Sequence, residues 1–469
     1  MTIPDDFYER MKQSMPPEEF KAFLASYKNE PVKSLRINRL KKYSGVNAPD
    51  LFQMFSLSPV EWCENGYYYK SDTLPGKHPL HEAGAYYIQE ASAMAPVQWL
   101  DVKKGMKVLD LCASPGGKST EIAEIMDNTG LMIANEPDRS RAKILSLNIE
   151  RLGIKNTLVT NESPERLAGV FEGYFDRILV DAPCSGEGMF RKNPEAVSNW
   201  STENVSMCAA RQDMILENAA KMLSPGGLMV YSTCTFSREE DEGSVERFLE
   251  REKDFCLVSP DSIKSLPEAF LPSPISPGGE KAGEAVRLMS HRLRGEGHFF
   301  AILKRKGQTP AGSITVSGSG KLKEAPDASK KLFLEFLKES IAADFTLPKG
   351  ILHEFGDQLY LSDTLMPGIT GLKVLRPGLH LGTLKNKRFE PAHALALFLS
   401  PKDAEMNAAL PDQDSAYDYL KGGSLPSEFL NIPEKKGWCL VSFMGMSLGW
   451  GKNDGRIIKN HYPKGLRIN

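Results

Sequence analysis

Two cysteines stand in short polar motifs, each of which follows a predicted strand. Cys184 lies in Asp181-Ala-Pro-Cys-Ser-Gly186, and Cys234 lies in Ser232-Thr-Cys-Thr235. A buried, inert thiol is the commonest fate of a cysteine, and either residue alone favours that interpretation. The pair, at the ends of neighbouring predicted strands, indicates instead a nucleophile and a helper thiol.

Such a pair suits methylation at a carbon that is not itself nucleophilic. The C5 atom of a pyrimidine attacks a sulfonium methyl group only after a thiolate has added to C6, and the C5 proton must then leave before the thiol can. A free cysteine has a pKa of roughly 8.5, so its surroundings must activate it. Asp181 can hydrogen-bond the exocyclic amine and N3 edge of a cytosine, selecting it over uracil. The structural alternative is that Asp181 caps the following loop.

A glycine-containing loop, Asp110-Leu-Cys-Ala-Ser-Pro-Gly-Gly-Lys-Ser119, lies between a predicted strand at 106–112 and a predicted helix at 120–126. Its paired glycines allow positive φ and close approach of a small polar ligand to main-chain N–H groups at the helix start. The spacing matches neither the G-x-G-x-x-G of dinucleotide sites nor the phosphate loop. The loop alone therefore predicts a binding turn without naming the ligand, and a tight structural turn remains open.

The elements that must position these motifs alternate between strand and helix from about 96 to 305. Further strands are predicted at 130–136, 157–160, 175–181 and 228–235, with helices over 142–152 and 215–223. This alternation predicts an α/β fold, a doubly wound Rossmann-like sheet, whose ligands bind outside the carboxyl ends of the strands. The predicted strand-end residues are Asp110, Glu136, Asp181 and Cys234.

The 469-residue chain has 41% hydrophobic and 25% charged residues, which is typical of a soluble multidomain protein. It has no apolar run of about 18 residues and no leader-like start, so we expect a cytoplasmic protein without a membrane span. Seven cysteines without a C-x-x-C pair argue against a disulfide framework and a metal site. The net charge of −2 confines any nucleic-acid contact to local patches. We expect a monomer.

The segments on either side of the central domain are predicted to bind RNA. Residues 1–95 form a small α+β extension in which Arg36 lies on a strand with its basic residues outward, although a solvated edge strand fits equally well. Residues 306–330 form an exposed linker, rich in Gly, Ser, Pro and Lys.

Two smaller domains follow this linker. Residues 331–410 form an α/β domain with a hairpin that turns at Gly356-Asp357. Residues 411–469 form a β-rich domain whose basic residues favour RNA as a partner. The candidate RNA contacts in it are Lys452, Arg456 and Lys459.

The motifs at 110–119, 181–186 and 231–235 together closely resemble those of the Sun-type RNA cytosine-C5 methyltransferases. Leu35-Arg-Ile-Asn38, Tyr87-Ile-Gln-Glu-Ala-Ser92 and two further segments, at 186–192 and 295–300, extend the match, and the whole chain resembles the bacterial RsmF-like ribosomal RNA branch. The resemblance implies a Rossmann-like methyltransferase sheet with an N-terminal extension and two C-terminal domains, the last PUA-like. It also implies transfer of a methyl group from S-adenosylmethionine to small-subunit (16S) ribosomal RNA.

The same resemblance implies the roles of the two thiols. Cys234 would be the nucleophile that forms a covalent adduct with cytosine, and Cys184 would serve product release. DNA cytosine methyltransferases attack with the Pro-Cys thiol and lack the second cysteine, so its presence favours RNA. Lys118 would contact the cofactor or the target, although a solvent-facing lysine is as plausible.

The resemblance also implies the cofactor site. Glu136 would bind the ribose hydroxyls, and Arg141 and Asp181 would lie near the cofactor. The adenine would lie near Ser163, which stands where the family usually has an acid, so that Asn161 or Glu162 would take over the contact. The methionine part would lie on the main chain of Cys112, Ala113, Ser114, Pro115, Gly116, Gly117 and Lys118. Arg191 and Lys192 would hold extruded RNA, since extrusion costs a few kcal/mol.

Other functions remain open from the sequence. A transfer RNA methyltransferase would share every motif, and a ribosome assembly factor that has lost turnover would keep the fold. A nicotinamide oxidoreductase on the same sheet is disfavoured by the missing G-x-G-x-x-G. The sequence also leaves open whether naked RNA or an assembled small subunit is the substrate.

Overall fold

The computed structural model describes residues 3–41, 48–308, 322–385 and 388–468. Within these ranges the strands form four sheets, of four, ten, four and five strands in chain order. Most of the predicted linker lies outside the described residues. No helix of the described ranges is long and apolar enough to cross a membrane.

The N-terminal extension packs a small antiparallel sheet, in the order β2-β3-β1-β4, against the central domain. Its helices and strands are α1 Asp5–Ser14, α2 Pro17–Ser26, β1 Ser34–Ile37, α3 Ala48–Phe55, β2 Ser58–Val60, β3 Cys63–Tyr68, α4 Pro79–Glu82 and β4 Tyr86–Ile88.

The central domain is built on the ten-stranded sheet, whose middle strands run β9-β8-β5-β6-β7 and are all parallel. The doubly wound α/β prediction is therefore confirmed. The elements are α5 Ala95–Gln98, β5 Lys107–Asp110, α6 Gly117–Ile125, β6 Leu131–Asn135, α7 Arg139–Arg151, β7 Thr157–Thr160, α8 Pro164–Ala168, β8 Phe175–Asp181, α9 Pro194–Ser198, α10 Thr202–Met222, β9 Leu223–Thr233, α11 Glu242–Arg251, β10 Phe255–Leu257, β11 Leu271–Ile275, β12 Gly283–Leu288 and β13 His298–Arg305.

Both faces of this sheet are buried. Successive residues of a strand point to opposite faces, so neighbouring residues report on the packing of each face. Val108 and Met132 belong to one hydrophobic cluster, and the next residues, Leu109 and Ile133, belong to the other. The polar side chains at the strand ends are therefore held by packing on both sides of the sheet.

The C-terminal part contributes one strand to the central sheet, since β16 pairs antiparallel with β7. The sheet of the last domain includes β19, Asn407–Leu410, which pairs with β21, Gly437–Phe443. This sheet therefore begins before residue 411, the predicted start of the last domain. The predicted hairpin at Gly356 is confirmed by the pairing of β14 with β15. The elements are α12 Asp327–Ser340, β14 Ile351–Phe355, β15 Gln358–Ser362, β16 Val374–Pro377, β17 Leu379–Lys385, β18 Arg388–Pro391, α13 His393–Phe398, β19 Asn407–Leu410, α14 Gln413–Lys421, β20 Leu425–Pro426, β21 Gly437–Phe443, β22 Met446–Asn453 and β23 Ile457–Asn460.

Arg36 is not an RNA contact, and that prediction is wrong because its side chain is fully buried. Its guanidinium lies 2.5 Å from Glu124 and 3.8 Å from Glu121, and it donates to Thr120. All three partners lie on α6, the helix that follows the glycine loop. Arg36 therefore fixes α6 against the N-terminal sheet.

Replacing Arg36 with Met should lower the free energy of unfolding by about 3 kcal/mol, because it leaves two buried carboxylates without their cation. Arg39→Met is the matched control, since Arg39 makes an exposed ion pair with Glu64 and should lose less than about 1 kcal/mol. Urea unfolding followed by tryptophan fluorescence would measure both. Equal losses in the two variants would refute the bracing role of Arg36.

Candidate active site

The two candidate thiols lie beyond the ends of neighbouring parallel strands. β8 ends at Asp181 and β9 ends at Thr233, so the loops that follow lie at the same sheet edge. There the Sγ atoms of Cys184 and Cys234 lie 3.3 Å apart, and both residues are partly exposed. The two thiols therefore lie together at this edge. One pyrimidine ring can reach both sulfurs.

The two thiols are not electrostatically equivalent. The hydrogen bond with Cys234, together with burial, raises the pKa of Cys184 well above its ordinary value. The main-chain N–H of Cys234 also donates to the Cys184 sulfur, at 3.4 Å. Cys184 is therefore held as a thiol at neutral pH, and its sulfur lies within hydrogen-bonding distance of the Cys234 sulfur.

A buried carboxylate that the sequence analysis did not identify ties the two thiol loops together. Glu240 accepts hydrogen bonds from the main-chain N–H of Ser185, at 3.0 Å, and from Gln212, at 2.9 Å. Ser185 and Thr235, the residues after the two cysteines, share a hydroxyl–hydroxyl bond of 2.8 Å. Burial raises the pKa of Glu240 to about 7. No local motif signalled Glu240, because its partners come from three separate segments.

Asp181 lies beside the thiols in a strongly polar setting. Lys118 donates to its Oδ2 atom and Ser232 to its Oδ1 atom, each at 2.8 Å. Although burial works in the opposite direction, Lys118 lowers the pKa of Asp181, and Asp181 in turn raises the pKa of Lys118. The two side chains form a charged pair at neutral pH. Lys118 thus faces the site rather than solvent.

The glycine loop connects β5 to α6 as predicted. Gly116 has φ of 112°, a conformation that side-chain-bearing residues rarely adopt, and an added Cβ would lie 3.1 Å from Leu145. The main-chain N–H of Ala113 donates to Asn135 at the end of the next strand, and Arg141 donates to the carbonyl of Ser114, at 3.1 Å. These bonds fix the path of the loop and bring residues 112–118 alongside Arg141.

Asp110 ends β5 beneath this loop with one oxygen free. Its Oδ2 atom accepts from Ser119, at 2.6 Å, whereas its Oδ1 atom has no hydrogen-bond partner among the described residues. Burial raises the pKa of this fully buried carboxyl to about 7. The bond from Ser119 therefore ties the start of α6 to the end of β5.

The acid that follows β6 is buried beside the same loop. Glu136 accepts from the main-chain N–H of Asp138, at 2.9 Å, and lies 3.4 Å from Arg141. Asn161 donates to the carbonyls of Glu136 and Pro137, at 2.8 Å each, so its amide hydrogens are already used. Ser163 caps α8. These bonds give Asn161 and Ser163 structural roles, and the adenine contact stays a prediction.

The predicted RNA contacts divide into buried and exposed residues. Arg191 is wrong as an RNA contact, because its side chain is 6% exposed and forms two bonds to Glu296. Lys192 is partly exposed, 3.9 Å from the same carboxylate. Exposed residues of the last domain are the remaining candidates. These are Lys452, Arg456 and Lys459.

Four family models match consecutive parts of the chain. They describe the N-terminal domain of 16S rRNA methyltransferase RsmF (residues 3–91), 16S rRNA methyltransferase RsmB/F (97–304), the first C-terminal domain of RsmF rRNA methyltransferase (335–399) and the methyltransferase RsmF PUA domain (407–468). The four matched regions correspond, in chain order, to the extension, the central domain and the two C-terminal domains.

Curated relatives match over nearly the whole length. The ribosomal RNA small subunit methyltransferases F of Escherichia fergusonii and Aeromonas salmonicida are each 32% identical, covering 99% of this chain and 96% and 97% of their own. That of Vibrio cholerae is 30% identical, covering 99% and 98%.

Solved structures share the fold over about two thirds of the chain. A methyltransferase homologue from Pyrococcus horikoshii has a TM-score of 0.53 at 28% identity, covering 64% of this chain and 94% of its own. NSun6 from Pyrococcus horikoshii, crystallised with SFG, has a TM-score of 0.54 at 22% identity, covering 65% and 99%. The second likeness shows the fold alone.

Proposed function

Because this chain belongs to the family of ribosomal RNA small subunit methyltransferases F, we propose that it methylates C5 of a cytosine in 16S ribosomal RNA through a covalent adduct with Cys234. The observation that carries the proposal is the 3.3 Å approach of Cys184 and Cys234 beside the Asp181–Lys118 pair. A structural protein with this fold has no need of two adjacent thiols at a ligand-binding edge.

The loop residues fit S-adenosylmethionine, the cofactor of this family. Glu136 lies at the carboxyl edge of the sheet, 3.4 Å from Arg141, and Gly116 and Gly117 let the loop pack closely against Leu145 and Tyr87. Residues 112–118 would hold the methionine part, and Glu136 would hold the ribose hydroxyls. When bound, the cofactor supplies the sulfonium methyl group.

Cys234 supplies the nucleophile. Its thiolate adds to C6 of the cytosine, which moves an electron pair onto C5 and lets C5 take the methyl group. A base, which can be a water molecule, then takes the C5 proton, the C5–H electron pair restores the C5–C6 double bond, and the electron pair of the C6–S bond returns to sulfur. The thiol proton of Cys184, 3.3 Å away, stabilises that departing thiolate. We therefore assign adduct formation to Cys234 and product release to Cys184.

Asp181 and Lys118 support the same steps. The Oδ1 atom of Asp181 keeps one lone pair for the amine edge of cytosine, since Ser232 uses only the other. The Lys118 cation holds the carboxylate ionised, so that it remains an acceptor. Its positive charge also favours the electron-rich ring of the adduct.

We propose that the last domain binds the RNA substrate. Lys452, Arg456 and Lys459 are exposed, and the Lys452 ammonium lies 5.2 Å from the ring centre of Trp438. Changing all three to Gln should weaken 16S RNA binding about 10-fold near 0.1 M salt and reduce the salt dependence of binding by about two phosphate contacts. Filter binding across a salt series would measure both.

The matched control removes the same charge elsewhere. Lys323, at the end of the linker, and Lys331 and Lys338, on α12, are exposed, and their triple Gln variant should bind RNA as the wild type does. An equal loss in the two triple variants would mean that net charge, not this face, determines RNA binding.

The proposed partner is ribosomal RNA within or before assembly of the small subunit, acted on by a monomer in the cytoplasm. Labelled S-adenosylmethionine, offered with 16S RNA, small subunits and transfer RNA, tests the activity and substrate together. We expect label in 5-methylcytosine of 16S RNA, and label in transfer RNA alone would favour the transfer RNA alternative. Comparison of 5-methylcytosine in cells with and without the gene would identify the position.

A further inference from the structure

One buried histidine faces the active site without a hydrogen-bond partner for one of its nitrogens. His298 begins β13 and is 3% exposed. Its Nε2 atom has no hydrogen-bond partner among the described residues and lies 3.8 Å from Oδ1 of Asp181. An unpaired polar atom of this kind inside a protein requires an explanation.

The sheet register places His298 opposite the nucleophile. β13 pairs antiparallel with β9, with Phe299 opposite Thr233. The residue before Phe299 is His298, and the residue directly after the end of β9 is Cys234. His298 therefore borders the position that a base must occupy when its C6 atom meets Cys234.

The ring of His298 is an acceptor on the side that faces Asp181. Burial, with the Lys118 cation, lowers the pKa of His298 to about 3, so the imidazole is neutral near pH 7. The main chain of Gly297 hydrogen-bonds the ring. Since Nε2 has no partner, we assign the ring proton to Nδ1. Nε2 is left with a free lone pair.

Two acceptors thus lie side by side with no donor between them. Asp181 is ionised, and its Oδ1 atom has one lone pair left after the bond from Ser232. A single nitrogen that donates two hydrogen bonds of about 2.9 Å can bridge two atoms at this separation. The exocyclic amino group of cytosine is such a donor, whereas uracil has an acceptor oxygen at the same position.

We propose that His298 is a specificity-determining residue, whose Nε2 atom accepts one hydrogen of the cytosine amino group while Asp181 accepts the other. This inference rests on the proposed function and deepens it. Uracil would set its O4 atom against two acceptors with no proton to share, so the pair would reject it more strongly than Asp181 alone does.

Adduct formation with fluorinated RNA tests the proposal. A 5-fluoro group blocks the release step, so 16S transcripts made with 5-fluorocytidine or 5-fluorouridine retain the protein on a denaturing gel in the presence of S-adenosylmethionine. The wild type should form the adduct with 5-fluorocytidine RNA. His298→Leu and His298→Phe should lower the ratio of 5-fluorocytidine to 5-fluorouridine adduct about 10-fold or more, with the KM for S-adenosylmethionine unchanged.

Two further variants separate acceptor loss from misfolding. His298→Gln keeps an acceptor oxygen and should recover most of the 5-fluorocytidine adduct. His393→Leu removes a partly buried histidine whose Nδ1 atom is buried and unpartnered among the described residues and whose ring packs against Tyr462. This variant should leave the ratio unchanged.

The outcomes distinguish this inference from the proposed function. A wild-type ratio in both His298→Leu and His298→Phe, or in whichever of them folds, would overturn the role of His298 and leave the methyltransferase proposal intact. A wild type that neither forms the adduct nor transfers methyl to unmodified 16S RNA would overturn both.

Discussion

Replacing Cys234 with Ala should reduce methyl transfer to 16S ribosomal RNA by at least about 1,000-fold and should abolish the covalent protein–RNA adduct. The C5 atom of cytosine is not nucleophilic until a thiolate adds to C6. Cys184 should not replace Cys234, because burial still raises its pKa after the hydrogen bond to the Cys234 thiol is lost. Transfer of labelled methyl from S-adenosylmethionine measures the first effect, and a denaturing gel measures the second.

Cys208→Ala is the control for loss of a thiol. Cys208 lies on α10, is buried, and has its pKa raised by burial to about 11, so it should be chemically inert. Its alanine variant should retain methyl transfer. An adduct that still forms in Cys234→Ala would reverse the roles of the two active-site thiols.

The parallel sheet could be predicted closely because its strands are buried on both faces. Strands 157–160 and 175–181 coincide with β7 and β8, since short apolar runs bounded by turns have few alternatives. Because β8 and β9 are parallel neighbours, the loops after their carboxyl ends, which contain Cys184 and Cys234, lie at the same edge of the sheet. The juxtaposition of the thiols follows from topology rather than from local pattern.

Arg36 and Arg191 were wrongly predicted to be exposed RNA contacts, and the reason lies in their ion pairs. An arginine in a strand or loop looks exposed unless a carboxylate neutralises it, and the partners here, Glu124 and Glu296, lie far away in sequence. Burial of a charge depends on that pairing, which single-sequence periodicity does not contain.

Long-range pairing also explains the missed architecture. The sequence predicted independent C-terminal units, yet β16 completes the central sheet next to β7. Glu240 and His298 were missed as site residues on the same grounds, because each becomes functional only through neighbours on other strands and loops. The motifs therefore identified the groups that react, and the fold was needed to identify the groups that hold them.

Replacing Cys184 with Ala should trap the reaction rather than prevent it. Cys234 keeps its position at the end of β9, so the adduct should still form, but the departing sulfur loses the thiol proton that lies 3.3 Å away. We expect turnover to fall about 100-fold or more while a protein–RNA adduct accumulates on a denaturing gel, even with unmodified 16S RNA.

The double variant Cys184→Ala, Cys234→Ala makes this prediction specific. It should give no adduct, because any accumulation in the single variant depends on the Cys234 sulfur. If Cys184→Ala instead turned over like the wild type, the second thiol would be dispensable, and its contact with Cys234 would have only a packing role. Accumulation in the single variant and its loss in the double variant would assign bond formation to one sulfur and bond release to the other, because no other described thiol contacts Cys234.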